Sequence, residues 1–159
     1  MSDYEDFNKK LTDSIAEHGW HVIKVMEDGP SPEFCFSVGL YKTFGHPEIV
    51  IIGLDMDLAH ELINLMGDEI SGGGSFTAGE FYEDIIEDYA CYMLAVEEEY
   101  YEDWIGTAIG FYGAKNFPVL QCVYPNMDRI YPWQPEWPEE MDDLQPLLGE
   151  MTSNPDPDH

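Results

Sequence analysis

The segment from Glu48 to Leu54 constrains the fold more than any other part of this 159-residue chain. After its first residue it is almost entirely aliphatic, so neither face of an extended strand there would be polar. A strand that is apolar on both faces has to be covered on both sides. The segment therefore predicts a central strand of a sheet, with packed layers above and below it.

The residues before this strand predict a helix followed by a hairpin. Apolar residues recur every four positions from Phe7 to Ile15, which indicates one face of a helix, and Gly19 is placed to end it. Residues 20–26 are β-branched and aromatic, and residues 34–41 alternate between bulky and small side chains. Because a turn rich in Gly and Pro separates these two segments, we expect two paired strands.

The residues after the central strand predict a second helix, further strands and an irregular C-terminal segment. Asp55 or Asp57 can cap a helix whose apolar stripe is Leu58, Leu62, Leu65, Met66 and Ile70. The remaining predictions are a strand at 89–96, favoured over a helix, a helix at 104–112 and a strand at 117–124. Beyond Pro125 the prolines predict a strap over the domain. Its rings Tyr124, Tyr131, Trp133 and Trp137 are interpreted as core cover, with a recognition surface as the alternative.

A chain of this length is expected to form one domain. The pattern predicts an α+β domain over residues 1–150, with a mixed or mainly antiparallel sheet and about three helices packed on it. The Pro- and Trp-rich strap completes this domain. Residues 151–159 are expected to form a disordered tail.

The charge of the chain excludes some classes of partner. It has 33 acidic and 6 basic residues, and the stretch between Lys42 and Lys115 contains no basic residue. A net charge of −27 repels other polyanions, so neither direct nucleic acid binding nor binding to an anionic membrane is expected. The same field favours basic protein surfaces, cations or simply high solubility.

The N-terminus and the cysteines favour a cytoplasmic protein. No apolar run has the length of a membrane span, and residues 1–5 lack the basic start of a signal peptide. Cys35, Cys91 and Cys122 are odd in number and lie in apolar sequence. They are therefore predicted to be small core residues in a reducing compartment, with no disulfide framework.

Six short motifs, in order, resemble a known bacterial family. They are His18-Gly19-Trp20, Phe36-Ser37-Val38-Gly39-Leu40, Gly45-His46-Pro47-Glu48, Gly53-Leu54, Phe117-Pro118-Val119-Leu120-Gln121 and Pro132-Trp133. In that order they resemble the family named domain of unknown function 4262. The resemblance implies a small α+β protein and carries over no reaction. The acidic block 80–103 is heavier than the family pattern, so a function of that block could belong to this chain alone.

Histidines provide the first functional hypothesis. His46 lies on a loop beside Glu48 and could act as an oriented general base, with His18 nearby. The small residues Ser37 and Gly39 leave space for a ligand. Trp20 or Trp133 could equally fill that space. This hypothesis is a small enzyme or ligand-binding domain with its site at His46, Glu48 and His18. His18, His21, His46 and His60 could also converge with Glu48 or Cys35 as metal ligands. The chain contains no spacing typical of a metal site, so no metal and no cofactor is predicted.

The acidic block provides the second hypothesis, which we rank first. Its acidic residues are interleaved with tyrosines, and the predicted partner-binding residues are Glu83, Asp84, Glu87, Asp88, Glu97, Glu98, Glu99, Tyr100, Tyr101, Glu102 and Asp103. Opposite charge accelerates association with a basic protein. The protein would then be an interaction or inhibitor module for a toxin or a nucleic-acid-binding protein, as an immunity protein or a mimic of DNA would be. Solubility alone is the remaining interpretation.

Overall fold

The computed structural model describes residues 3–29, 32–141 and 144–151. Within these ranges six strands form one sheet and five α-helices surround it. The helices are α1 (Asp3–His18), α2 (Leu40–Phe44), α3 (Met56–Ser71), α4 (Tyr101–Trp104) and α5 (Gly106–Tyr112). The strands are β1 (His21–Val25), β2 (Phe34–Val38), β3 (Glu48–Ile52), β4 (Phe81–Ile86), β5 (Tyr89–Ala95) and β6 (Val119–Val123). Glu98–Tyr100 and Glu139–Met141 form short 3-10 turns.

The sheet is mixed and mainly antiparallel, which confirms the predicted α+β class. Its strand order is β1-β2-β3-β6-β5-β4, and only the β3–β6 pair is parallel. The predicted hairpin between β1 and β2 is present, with His21 opposite Val38 and Val25 opposite Phe34. β1 and β4 are the two edges of the sheet.

Strand β3 is the predicted central strand, and all five of its residues are buried. Ile49 and Ile51 belong to the core cluster that includes α3, whereas Val50 and Ile52 belong to the cluster that includes residues of α1, α4 and α5. The sheet is thus covered on both faces. Asp55 caps α3 by accepting hydrogen bonds from the amides of Asp57 and Leu58. The predicted stripe on α3 was partly wrong, because Leu58 and Leu65 are exposed and Ala59 and Ile63 are buried instead.

Two predicted elements differ from the structure, and one strand was missed. The strand predicted over 34–41 ends at Val38, and Leu40 begins the short helix α2, because Gly39 adopts a left-handed conformation with φ of 117°. The helix predicted over 104–112 is divided at Ile105 into α4 and α5. Strand β4 was not predicted. The predicted strand at 89–96 is confirmed by β5.

The C-terminal strap covers the sheet, as predicted. Tyr124, Tyr131 and Trp137 are buried, and the ring of Trp133 stacks on Tyr131 with centroids 4.7 Å apart. Most of the predicted tail, residues 152–159, lies outside the described residues.

The three cysteines are buried and free, as predicted for core residues. Cys91 and Cys122 lie on the neighbouring strands β5 and β6, and a hydrogen bond with Cys91, together with burial, raises the pKa of Cys122. None of the helices in the described ranges has both the length and the apolar character that crossing a bilayer requires.

Candidate functional site

Glu48 is the most elaborately bonded side chain of the proposed histidine site. Its carboxylate is buried and accepts hydrogen bonds from three amides at the start of α2, those of Gly39, Leu40 and Tyr41, at 2.9, 3.2 and 3.2 Å. The hydroxyl of Ser37 donates a fourth bond at 2.7 Å, and the Tyr112 hydroxyl donates a fifth. The carboxylate therefore takes the position that a bound anion takes at a helix N-terminus.

This arrangement has opposing effects on the ionisation of Glu48. Burial is the larger effect and raises the pKa of Glu48 above its ordinary value, although the donors Tyr112, Ser37, Gly39 and Tyr41 oppose that rise. Tyr112 is held protonated, because burial and the Glu48 carboxylate raise the pKa of its phenol. Within the described ranges no Lys, Arg or His forms an ion pair with Glu48. Among the described residues, the Glu48 carboxyl group is therefore stabilised by uncharged hydrogen-bond donors and not by an ion pair.

His46 is a buried structural residue with both ring nitrogens occupied. Its Nδ1 lies 2.8 Å from the Pro47 carbonyl oxygen, and its Nε2 accepts a hydrogen bond from the Phe76 amide at 2.9 Å. These two bonds require the neutral ring with the proton on Nδ1. Burial lowers the pKa of His46, which favours the same form. The imidazole therefore fastens the glycine-rich loop after α3 to the start of β3.

The space expected beside Ser37 and Gly39 is filled. The Ser37 hydroxyl accepts a hydrogen bond from the Ile49 amide at 2.9 Å while it donates to Glu48. A Cβ atom on Gly39 would lie 2.8 Å from the Gly19 carbonyl oxygen and 3.0 Å from the Cα of Trp20. The backbone of the junction between α1 and β1 occupies this position. The Trp20 ring does not fill it, because that ring packs on Gly67 of α3 and its indole donates to Asn64.

His18 lies apart from Glu48 and His46, in a different environment. It is the last residue of α1, it is exposed, and it lines a cleft of about 500 Å³ with His21 and His60. The Ser14 hydroxyl lies 3.0 Å from Nδ1 of His21, and the Trp20 indole donates to Asn64 at 2.9 Å. Burial, and then the neighbouring His60 and His18, lowers the pKa of His21.

We call this space, lined by Ser14, His18, Trp20, His21, Val22, His60, Asn64 and Asp68, the histidine cleft. It unites three of the four histidines that the sequence singled out. His46 lines a separate cleft with the loop 70–76. Across the described residues, no three His, Cys, Asp or Glu side chains have an arrangement that would hold a metal ion.

The predicted partner-binding acids form two groups, separated by the length of β5. Glu83 and Asp84 lie on the edge strand β4, and Glu87 and Asp88 form the turn that follows it. All four are exposed, and the Arg129 guanidinium lies 5.5 Å from the ring centroid of the adjacent Tyr89. Charges on an edge strand discourage pairing with the strands of other chains. Protection of the β4 edge is therefore a sufficient explanation for this first group of acids.

The second group lies at the opposite end of β5. We call it the acidic ridge, and it consists of Glu97, Glu98, Glu99, Glu102, Asp103 and Glu150. Partial burial and the neighbouring Glu150 and Glu99 raise the pKa of Glu97. Of the six, only Glu102 has an ion-pair partner inside the described ranges, namely Lys115 at 2.6 Å, which lowers the pKa of Glu102. The ridge is therefore a concentration of almost uncompensated charge.

The two predicted tyrosines differ in exposure. Tyr101 is only 4% exposed, and its hydroxyl donates to the Phe117 carbonyl at 2.7 Å, so it supports the ridge from the core. Tyr100 is half-buried beside it.

A cleft of about 620 Å³ opens next to the ridge. We call it the strand-end cleft, because it lies where β5 ends and where β3 and β6 begin. Its walls are largely apolar and include Pro47, Phe76, Ala78, Ala95 and Val96, and Glu98 and Lys115 lie among its polar lining residues.

Two features of these sites escaped the sequence analysis. Tyr112, the fifth donor to Glu48, is 64 positions away from it, and nothing in the local sequence pairs them. The strand-end cleft is lined by residues from four separate parts of the chain, including the loop residues 76–78, and no local sequence pattern brings these parts together. The Gly45-His46-Pro47-Glu48 motif did carry a local signal, since it contains both His46 and Glu48, whose side chains are buried and hydrogen-bonded.

Comparison with known proteins identifies the family. A family model described as Domain of unknown function (DUF4262) matches residues 14–138, which is most of the chain. The chain belongs to this family. The DUF4262 match includes β1, α2, β3 and the buried Glu48 network, and it ends within the strap. No curated protein and no solved structure matches the chain.

Proposed function

We propose that this protein is a cytoplasmic binding module that engages a basic partner protein, such as a toxin or a nucleic-acid-binding protein, through the acidic ridge. In this proposal it acts as an inhibitor that offers carboxylates in place of phosphates. The observation that carries the proposal is the ridge itself, where six acids have a single ion-paired base among the described residues.

The distribution of basic residues supports the ridge as the docking surface. Four of the six bases, Lys9, Lys10, Lys24 and Lys42, lie on α1, β1 and α2, on the half of the sheet that ends in β1. The ridge follows β5, in the other half. The other two bases, Lys115 and Arg129, lie on the β5 side, but Lys115 is paired with Glu102 and Arg129 lies over the ring of Tyr89. A cationic partner that approaches the ridge therefore meets an excess of negative charge, and electrostatic steering raises its encounter rate.

The fixed position of the ridge also favours binding. Its residues stand on a 3-10 turn and on α4, which Tyr101 anchors to the core, and the Glu97 amide bonds to the Leu148 carbonyl at 2.9 Å. Carboxylates held close together by an ordered backbone repel one another in the free protein. A bound cation relieves that repulsion, whereas flexible carboxylates would simply move apart.

The test compares two variants of equal net charge. One neutralises the ridge (Glu98→Gln, Glu99→Gln and Asp103→Asn), and the control neutralises α3 (Glu61→Gln, Asp68→Asn and Glu69→Gln). The partner is isolated from source cells with the tagged protein, identified by mass spectrometry, purified and titrated. We expect the ridge variant to bind it about 10-fold more weakly and the α3 variant about 2-fold more weakly. Equal weakening by both variants would show that only net charge matters and would overturn the proposal.

A small-molecule site is a second candidate function, and one observation favours it. Three imidazoles from α1, β1 and α3 converge on the histidine cleft, although the sequence placed them far apart. A ligand bound there would raise the melting temperature, and His60→Ala would abolish that shift while His46→Ala, outside the cleft, would preserve it. A ligand shift that survives His60→Ala would exclude this cleft as the site.

A further inference from the structure

We propose that the strand-end cleft receives one large apolar side chain of the partner, flanked in the partner's sequence by lysines or arginines that meet the acidic ridge. This inference rests on the proposed function, and it specifies the recognition chemistry. The partner segment would be basic and would carry a phenylalanine, leucine or similar residue as its anchor.

The size and lining of the cleft fit such an anchor. Its volume of about 620 Å³ lies within the range of roughly 300–1,000 Å³ that is typical of ligand pockets. Phe76, Val96 and Pro118 form apolar walls, and the small exposed side chains of Ala78 and Ala95 leave its mouth open. Interfaces commonly derive most of their affinity from one or a few buried anchors of this kind.

The charges around the cleft select a cationic segment. Glu98 belongs both to the cleft lining and to the ridge, so an anchor in the cleft places its neighbouring residues against the ridge carboxylates. Lys115 also lines the cleft, but its amino group lies 2.6 Å from a Glu102 carboxylate oxygen, which leaves it little capacity for an anionic ligand. A second copy of this chain is disfavoured as the occupant, because it would bring another net charge of −27.

The closing experiment uses two labelled peptides, one with lysines on both sides of a central phenylalanine and one with glycine in place of that phenylalanine. Their affinities are measured by fluorescence anisotropy against wild type, Ala78→Trp, Ala95→Trp and the control Ala16→Trp on the exposed face of α1. The first two variants fill the cleft at positions that are exposed in the free protein. Thermal melting of each variant verifies that it is folded.

We expect wild type and Ala16→Trp to bind the phenylalanine peptide about 10-fold more tightly than the glycine peptide. Ala78→Trp and Ala95→Trp should bind both peptides equally, at the affinity of the glycine peptide for wild type. If wild type does not distinguish the peptides, or if the preference survives both cleft substitutions, the anchor proposal is wrong.

Failure of the proposed function gives a different result. The ridge variant (Glu98→Gln, Glu99→Gln, Asp103→Asn) would then bind the glycine peptide as tightly as the α3 control does. A different outcome is that the ridge variant binds the glycine peptide more weakly than the α3 control does, while wild type shows no preference for the phenylalanine peptide. That result would support the ridge as the docking surface and would reject only the cleft as the anchor site.

Discussion

At the residue scale, the Glu48 carboxylate carries the strongest prediction about stability. Tyr112→Phe removes a hydroxyl that donates a hydrogen bond to Glu48 and accepts one from the Lys42 amide. Because hydrogen bonds to buried charged groups contribute about 1.5–3 kcal/mol, we expect the free energy of unfolding to fall by that amount. Urea denaturation followed by circular dichroism measures the change.

Tyr41→Phe is the matched control for this change. The Tyr41 ring meets Tyr112 edge-on, with centroids 5.9 Å apart, and its side chain is exposed. Its substitution should alter the free energy of unfolding by less than about 0.5 kcal/mol. Similar losses in the two variants would mean that ring packing, and not the bond to Glu48, determines the effect.

The lowered pKa of His46 predicts that the folded protein loses stability as pH falls. Burial lowers its pKa in the folded state below the ordinary 6.5, so as pH falls the unfolded chain takes up the proton first. The stability that neutral His46 provides is present above about pH 6.5 and is lost as pH falls through the folded-state pKa. Wild type should therefore lose more unfolding free energy than His46→Gln between about pH 7.5 and pH 5. The pKa of His21 is also lowered, but His21 titrates in both proteins. A loss of the same size in both would contradict this assignment.

At the element scale, α2 depends on the conformation of Gly39. A Cβ there would meet backbone atoms of Gly19 and Trp20, and φ is 117°, so Gly39→Ala combines steric overlap with backbone strain. We expect a loss of about 3 kcal/mol or more. Gly45→Ala is the control, since Gly45 has φ of 72° and no neighbour near its Cβ, and it should cost about 1–2 kcal/mol. Thermal denaturation of both variants tests whether Gly39→Ala loses more stability than Gly45→Ala. A larger loss in Gly45→Ala would contradict this account of α2.

Elements with a local signal could be predicted from the sequence. The two-sided apolar pattern of β3 and the Asp55 cap of α3 act through neighbouring residues, so short windows reveal them. In β4 the pairing register shifts between Tyr82 and Ile86, and its residues do not alternate between apolar and polar, so the period of two is lost. The short helix α2 is capped by Glu48 from the following strand, which a propensity argument does not include. The candidate sites depend on such distant contacts even more strongly.

At the scale of the whole molecule, the charge of −27 predicts that salt stabilises the fold. Salt screens repulsion among surface carboxylates, and the Debye length shortens from about 10 Å at 0.1 M to about 3 Å at 1 M. We expect about 1 kcal/mol of added stability over that range, which raises the melting temperature by about 2–4 °C. Calorimetry in sodium chloride measures the shift. The ridge-neutralised variant should show a smaller shift than the α3 variant, because the ridge carboxylates are crowded, and an unchanged melting temperature in wild type would refute the argument.

The most direct test of the docking surface is the association rate constant of the purified partner, measured by surface plasmon resonance from about 50 to 200 mM salt. The account predicts a rate that falls steeply with salt for wild type and for the α3 variant, and a clearly shallower dependence for Glu98→Gln, Glu99→Gln, Asp103→Asn. A wild-type rate that does not change with salt, or the same slope in the two variants, would contradict it.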